Sequence, residues 1–148
     1  MNAALPVDLR HEEAIQRLVR EQAEAWCRGD AEGYASTAGD DLGFTNIRGQ
    51  RWVGRKTFVD VHRKIFEGIF AGSQLAIEVE RVMFPGTGTA VAELALLLTG
   101  ARSMPPGIAA SPDGALRTRL LEVFELREGT WTLVACHNTA VLNDARHP

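Results

Sequence analysis

From Asp8 onward, Ile15, Leu18, Val19, Gln22, Ala25 and Trp26 recur at steps of three and four, the spacing of one stripe on an amphipathic helix. Gly29 supplies its stop. Asp30 then offers a side-chain oxygen to the free N–H groups of a second helix, expected over 31–38 and closed by Gly39. The period changes next: Leu42, Phe44 and Asn46 alternate with Gly43, Thr45 and Ile47, and Gly49-Gln50 turns the chain into Arg51-Trp52-Val53, a short hairpin. After Gly54 the helical spacing returns with Phe58, Val61, His62, Ile65, Phe66 and Ile69, ending at Ala71-Gly72-Ser73. His62 thus falls inside an apolar stripe.

The second half carries only strand signals. Leu75, Ile77 and Val79 alternate, the phase slips at Glu80-Arg81, and it resumes at Val82 and Phe84, as a bulge in a bent strand requires. A turn at Pro85-Gly86-Thr87-Gly88 leads into 89–99, where both alternating faces are apolar except for Glu93, so this strand is expected to be central and covered on both sides. The stretch 100–114 holds three of the six prolines and has no period, which predicts a loop. Residues 116–127 and 131–142 then form a hairpin around Glu128-Gly129. Three helices followed by a meander of strands predict an α+β fold, a cone in which a strongly curved, mostly antiparallel sheet wraps around the helices.

Composition narrows this only slightly. The 148 residues are 45% hydrophobic and 24% charged, which excludes intrinsic disorder and predicts one domain over 1–148. Sixteen basic against nineteen acidic residues give a net charge of −3 with the signs interleaved, so nucleic acid is not expected as a partner. Cys27 and Cys136 lie far apart in apolar segments, which predicts buried free thiols in a reducing compartment. The start of the chain lacks a basic segment followed by an apolar core, and no run approaches the ~20 apolar residues of a membrane span. The expectation is a cytoplasmic protein without a membrane partner.

There is no Gly-rich phosphate turn after a strand, no HxxxH, HExxH or CxxC spacing, and no GxSxG elbow, so no cofactor or metal is implied. Of the four histidines, His11 and His147 sit near the ends of the sequence, leaving too few central ligands for a metal.

The order of Trp26 with Asp30, Phe44-Thr45-Asn46, Gly49, Trp52-Val53-Gly54-Arg55, His62, Phe70-Ala71-Gly72-Ser73, Leu98-Thr99-Gly100, Trp131 and His137-Asn138-Thr139 resembles the nuclear transport factor 2-like superfamily. Within it the chain is most similar to the SgcJ/EcaC-type group, related to the SnoaL-like proteins, over roughly residues 11 to 142. The resemblance implies six curved strands packed on three helices, a ligand pocket between them, and a homodimer formed across the sheet. It implies no particular reaction, because the superfamily includes isomerases, cyclases, dehydratases, hydrolases and modules that only bind or oligomerise. The chain departs from the group in having Glu93 where a histidine is expected in the fourth strand.

Two residues are candidates for proton transfer. His62 is either a pocket acid or base near neutral pH, or a core histidine satisfied by one hydrogen bond. Glu93 is either a general base acting with His62 or His137, or a structural partner of Arg117 or Arg119. Trp26 and Trp52 read as an aromatic wall or as core filling, and Asn46 as a ligand contact or as the brace of the turn at Gly49. His137 and Asn138 point to opposite faces of the last strand, so only one of them serves the pocket. Cys136 beside them has no activating partner.

These residues support a small-molecule-binding protein whose apolar pocket holds a hydrophobic molecule, polyketide-like or otherwise aromatic. The alternative is a cofactor-independent isomerase, cyclase, dehydratase or hydrolase that uses the same groups as acid and base. A second alternative is a dimerisation or partner-binding module.

Overall fold

The computed structural model describes residues 7–142; His147 lies outside them. Helix α1 (Val7–Cys27) buries Ile15, Val19, Gln22 and Trp26, the stripe its spacing dictates. It is followed by Gly29 at φ 67°, a left-handed geometry that glycine adopts without steric cost. Asp30 caps α2 by accepting the Gly33 N–H at 2.9 Å.

Helix α2 is shorter than expected, covering only Ala31–Tyr34, and the chain is already in strand β1 (Ala38–Thr45) where a helix was predicted. The sheet takes these residues. The Leu133 N–H bonds the Thr37 carbonyl at 2.7 Å and Ala38 pairs with Leu133, so backbone groups that a longer α2 would satisfy internally are satisfied across strands.

Strand β2 (Arg51–Val53) closes the first hairpin, and α3 (Arg55–Glu67) follows. Four long strands complete the chain: β3 (Gln74–Gly86), β4 (Thr89–Thr99), β5 (Leu116–Arg127) and β6 (Thr130–Ala140). They form one six-stranded sheet in the order β2-β1-β6-β5-β4-β3, antiparallel except where β1 runs parallel to β6. The sheet bends where its register shifts. One shift lies between Val79 and Arg81, at the predicted bulge, and another between Val123 and Phe124. The β5–β6 turn puts Glu128 and Gly129 at φ 49° and 79°, the double positive geometry that matches strand twist in a two-residue hairpin.

The middle of the sheet is β6 and β5, not β4 as expected, and β4 is covered on one face only. Ala90, Ala92, Leu94, Leu96 and Leu98 are buried against the helices, while Val91, Glu93, Ala95 and Leu97 face outward with partial exposure. Apolar character on both faces here reflects an outer surface that is hydrophobic without being covered by any helix among the described residues. The core sits between α1 and the inner face of the sheet, built on Ile15, Val19, Leu42, Leu94, Phe124 and Leu133. Each such side chain contributes roughly 1.5–3 kcal/mol by burial. No helix among the described residues is long and apolar enough to cross a membrane.

Candidate functional site

Towards the open end of the cone the core gives way to a cavity of about 430 Å³ between α2, α3 and the inner faces of β1, β4, β5 and β6. Its volume is in the range of small-molecule sites. The wall on the helix side is aromatic. Trp26 packs edge-on against Tyr34 and Phe66, with ring centroids 5.4 and 4.8 Å apart, and Tyr34 stacks on Phe58 at 5.6 Å. Such geometries align ring edges with ring faces and hold the wall in one arrangement. Trp26 is further pinned by its Nε1–H, which donates to Ser73 Oγ at 2.9 Å, and Ser73 Oγ donates in turn to the Phe70 carbonyl.

His62 belongs to this wall. Its Nδ1–H donates to the Phe58 carbonyl one turn back at 2.7 Å, leaving Nε2 as the lone-pair nitrogen. Its ring lies 4.2 Å from Phe58 and 4.7 Å from Tyr34, centroid to centroid. Burial among these rings lowers its pKa to about 4, so near neutral pH it is an uncharged hydrogen-bond acceptor.

The floor is formed by β5 and β6, and its chemistry is unlike the wall's. Thr118, Leu120 and Glu122 share the inner face of β5, and Asn138, opposite Leu120 on β6, lies diagonally between the two polar residues. Glu122 is only 2% exposed and has no cation beside it among the described residues: Gln22 Nε2 donates to its Oε2 at 3.2 Å, and Tyr34 and Cys136 face it. Burial pushes the Glu122 carboxyl up to about 7, although the Gln22 hydrogen bond pulls the other way. Burial, reinforced by Glu122, also raises the Tyr34 phenol and lies behind the raised Cys136 thiol. Four oxygens here, Gln22 Oε1, Thr118 Oγ1, Glu122 Oε1 and Asn138 Oδ1, have no hydrogen-bond partner among the described residues. Each such orphan costs free energy unless something fills the cavity and donates to it.

The mouth is polar. Arg48 and Gln50 on the β1–β2 turn and Lys64 on α3 line it, with Pro105 and Pro106 from the 100–115 loop forming another side. That loop is held down by the Arg102 N–H on the Ile69 carbonyl at 2.7 Å and by Met104 and Ile108 against the core.

The sequence-predicted residues divide accordingly. Trp26, Trp52, His62, Asn46 and Asn138 line the cavity; Glu93 and His137 do not. Glu93 is on the outer face, its side chain 45% exposed and 4.0 Å from Arg81, rather than beside Arg117 or Arg119. Those arginines pair instead with Asp113 and Glu80. His137 is exposed beside Thr45, 3.4 Å away, and Asn138 is the inward residue. Asn46 braces the turn, its Oδ1 accepting the Arg48 and Gln50 N–H groups at 3.0 and 2.9 Å. Trp52 stacks on Phe44 at 5.4 Å near the mouth. Cys136 is buried, but Cys27 is only half-buried, its Sγ against the Leu75 backbone. His11 accepts the Trp131 Nε1–H at 3.0 Å, away from the cavity. Among the described residues no cluster of three or more His, Cys, Asp or Glu side chains is suited to a metal ion.

Tyr34, Thr118 and Glu122 are site residues that sequence reasoning missed. The signal for two of them was strand phase: Leu116, Thr118, Leu120, Glu122 and Phe124 are alternate residues, and four of the five are uncharged. A carboxylate on that phase is directed into the core.

No family model matches the sequence, and no curated protein matches it. Solved structures do. An uncharacterised protein with a cystatin-like fold from Caulobacter vibrioides is 27% identical, with a TM-score of 0.77 over 90% of this chain and 92% of its own. An NTF-2-like protein of unknown function from Shewanella oneidensis is 16% identical, with a TM-score of 0.70 over 86% of this chain and 98% of its own. A ketosteroid isomerase-like protein from Erwinia carotovora atroseptica is 16% identical, with a TM-score of 0.68 over 86% and 94%. The chain has the cystatin-like cone fold of nuclear transport factor 2-like proteins.

Proposed function

We propose that this chain is a small-molecule-binding protein, a single domain whose cone encloses an apolar, ring-bearing ligand. One observation carries the reading: a cavity of about 430 Å³ with an aromatic wall ends on Thr118, Glu122 and Asn138, each with an oxygen that no group among the described residues satisfies. A site that leaves polar atoms orphaned and aromatic surface uncovered gains most when occupied. Native mass spectrometry of the purified protein, followed by a thermal-shift screen of hydrophobic metabolites, tests it. A co-purified molecule or stabilisation by one chemical class is expected, since a ligand that binds only the folded state raises its melting temperature. An empty protein indifferent to every class overturns the reading.

A cofactor-independent acid/base enzyme is the second reading, favoured by one feature: uncharged His62 and a carboxyl that titrates near 7 line the same cavity. Glu122 takes the role first given to Glu93, which faces away. Turnover of any screened ligand that disappears in Glu122→Gln, with binding retained, would establish it.

The third element is a homodimer through the sheet. Val91, Ala95, Leu97, Leu121 and Val123 give its outer face an apolar surface that no helix among the described residues covers, and Leu121 is 42% exposed. Sedimentation should show a dimer that Leu121→Glu converts to monomer. The SgcJ/EcaC-type affinity and the cytoplasmic location belong to this proposal, the latter supported by two free cysteines.

A further inference from the structure

The cavity makes opposite demands at its two ends. At the floor the unsatisfied atoms of Glu122 and Asn138 are acceptors, and Thr118 adds a hydroxyl; these call for a ligand that donates. The Gln22 amide does not offset this: Nε2 gives one N–H to Glu122 Oε2, and the residue does not line the cavity. On the wall, His62 has given its only N–H to the Phe58 carbonyl, leaving Nε2 as a further acceptor. At the mouth the charge is reversed. Arg48 and Lys64 stand on separate elements, both exposed, and neither makes an ion pair among the described residues, whereas Glu32 and Asp60 are held by Arg55 and Arg63, and Glu67, the other carboxylate of α3, does not line the cavity.

Resting on the small-molecule reading above, we propose that the ligand is a bipolar aromatic, with a hydroxyl at its deep end donating its one proton to Glu122 beside Asn138 and a carboxylate at its outer end between Arg48 and Lys64. The ring system between them lies along Trp26, Tyr34 and Phe58. This fits the polarity better than an amine. A deep ammonium would satisfy Glu122, but the molecule would enter between two unpaired cations and leave them unpaired.

Four related compounds test the assignment: a hydroxynaphthoic acid with its two groups at opposite ends, naphthol, naphthoic acid and naphthalene. Binding is followed by ligand-detected NMR at a pH one unit above the Glu122 titration near 7, where that carboxylate accepts. The hydroxynaphthoic acid should bind roughly tenfold or more tighter than naphthoic acid, the usual scale for a hydrogen bond to a charged group. It should exceed naphthol by about two- to fivefold, the scale of exposed ion pairs. Arg48→Ala combined with Lys64→Ala should bring the hydroxynaphthoic acid down to the affinity of naphthol while leaving naphthol unchanged. Glu122→Leu should bring it down to naphthoic acid; the ligand series on the unaltered protein gives the same answer without relying on that variant's folding. Equal affinity for all four compounds overturns this inference and leaves the apolar pocket standing. Tighter binding of a naphthylmethylammonium ion overturns it in favour of a cation. Binding of none of them, the ammonium ion included, fails the pocket itself.

Discussion

Glu93 and Glu122 lie on adjacent strands of one sheet, close enough that Ala92 pairs with Glu122 and Glu93 with Leu121, yet they occupy opposite chemical worlds. Glu122 faces inward, is 2% exposed and accepts from the neutral Gln22 amide, so burial raises its pKa to about 7. Glu93 faces outward beside Arg81 at 4.0 Å, with its side chain 45% exposed. The pleat alone separates them: a strand's side chains alternate, and one step in register exchanges water for the interior. The inner face collects aromatic surface and orphaned acceptors, and the outer face collects ion pairs with an apolar background. Functional potential follows the face, not the residue type.

The largest test of this contrast is Trp26→Ala, which removes an 8% exposed indole held by four aromatic neighbours and by Ser73. It should cost about 3–5 kcal/mol in denaturant unfolding. A loss below about 1 kcal/mol would mean that the inner wall contributes little to stability and that the ring only borders space.

Next in size is Glu122→Gln. In the folded protein the carboxyl stays protonated up to about 7, while in the unfolded chain it ionises near 4.5. Between those values the native state binds the extra proton, so stability falls as pH rises through the window, by about 3 kcal/mol in total at 1.36 kcal/mol per unit. Gln keeps a hydrogen-bonding amide and removes the titration, so the variant should be more stable than the parent above pH 7 and nearly equal to it below 4.5. His62 acts with the opposite sign. Its folded pKa is about 4 against 6.5 unfolded, so stability falls as pH drops through that window, because the unfolded state takes the proton first. Its ring borders the cavity, where solvent screens it, so its effect is the smaller of the two. In the parent protein the two trends oppose each other between about 4.5 and 6.5 and flatten the profile. Glu122→Gln should expose a stability that rises with pH there, and His62→Leu one that falls. Identical slopes in the two variants would show that the inner face does not perturb these groups.

Much of the fold was legible because it rests on periodicity. The α1 stripe, the Asp30 cap, the bulge after Val79 and the turn at Glu128-Gly129 are local devices whose residues announce them. What failed depended on partners. The end of α2 was lost to pairing of Ala38 with Leu133, a contact 95 positions away along the chain. β4 was placed in the middle because both of its faces are apolar, whereas its outer face is simply uncovered. The same misreading drew attention to Glu93, the visible interruption, and away from Glu122, which sits in a segment with charges on both sides of it in sequence and whose significance appears only when Leu116, Thr118, Leu120 and Phe124 are aligned on its phase. Tyr34 carries no sequence signal of a role. Its place in the wall comes from α2 being short enough to turn it against Phe58 and His62.

The smallest expected effect is the most economical control. Glu93→Gln removes a charge from an exposed pair at 4.0 Å, where water screens the attraction and two side chains must be ordered to maintain it. Stability should change by less than about 0.5 kcal/mol, and the difference should shrink further in salt. Ligand binding should be unaltered, since no part of Glu93 reaches the cavity. The value of this variant lies in its proximity to Glu122: the same substitution made one strand away tests the inward environment itself. If Glu93→Gln instead changed stability by several kcal/mol, the outer face would have to be covered in solution, and the sheet-mediated dimer would then be the element that buries it.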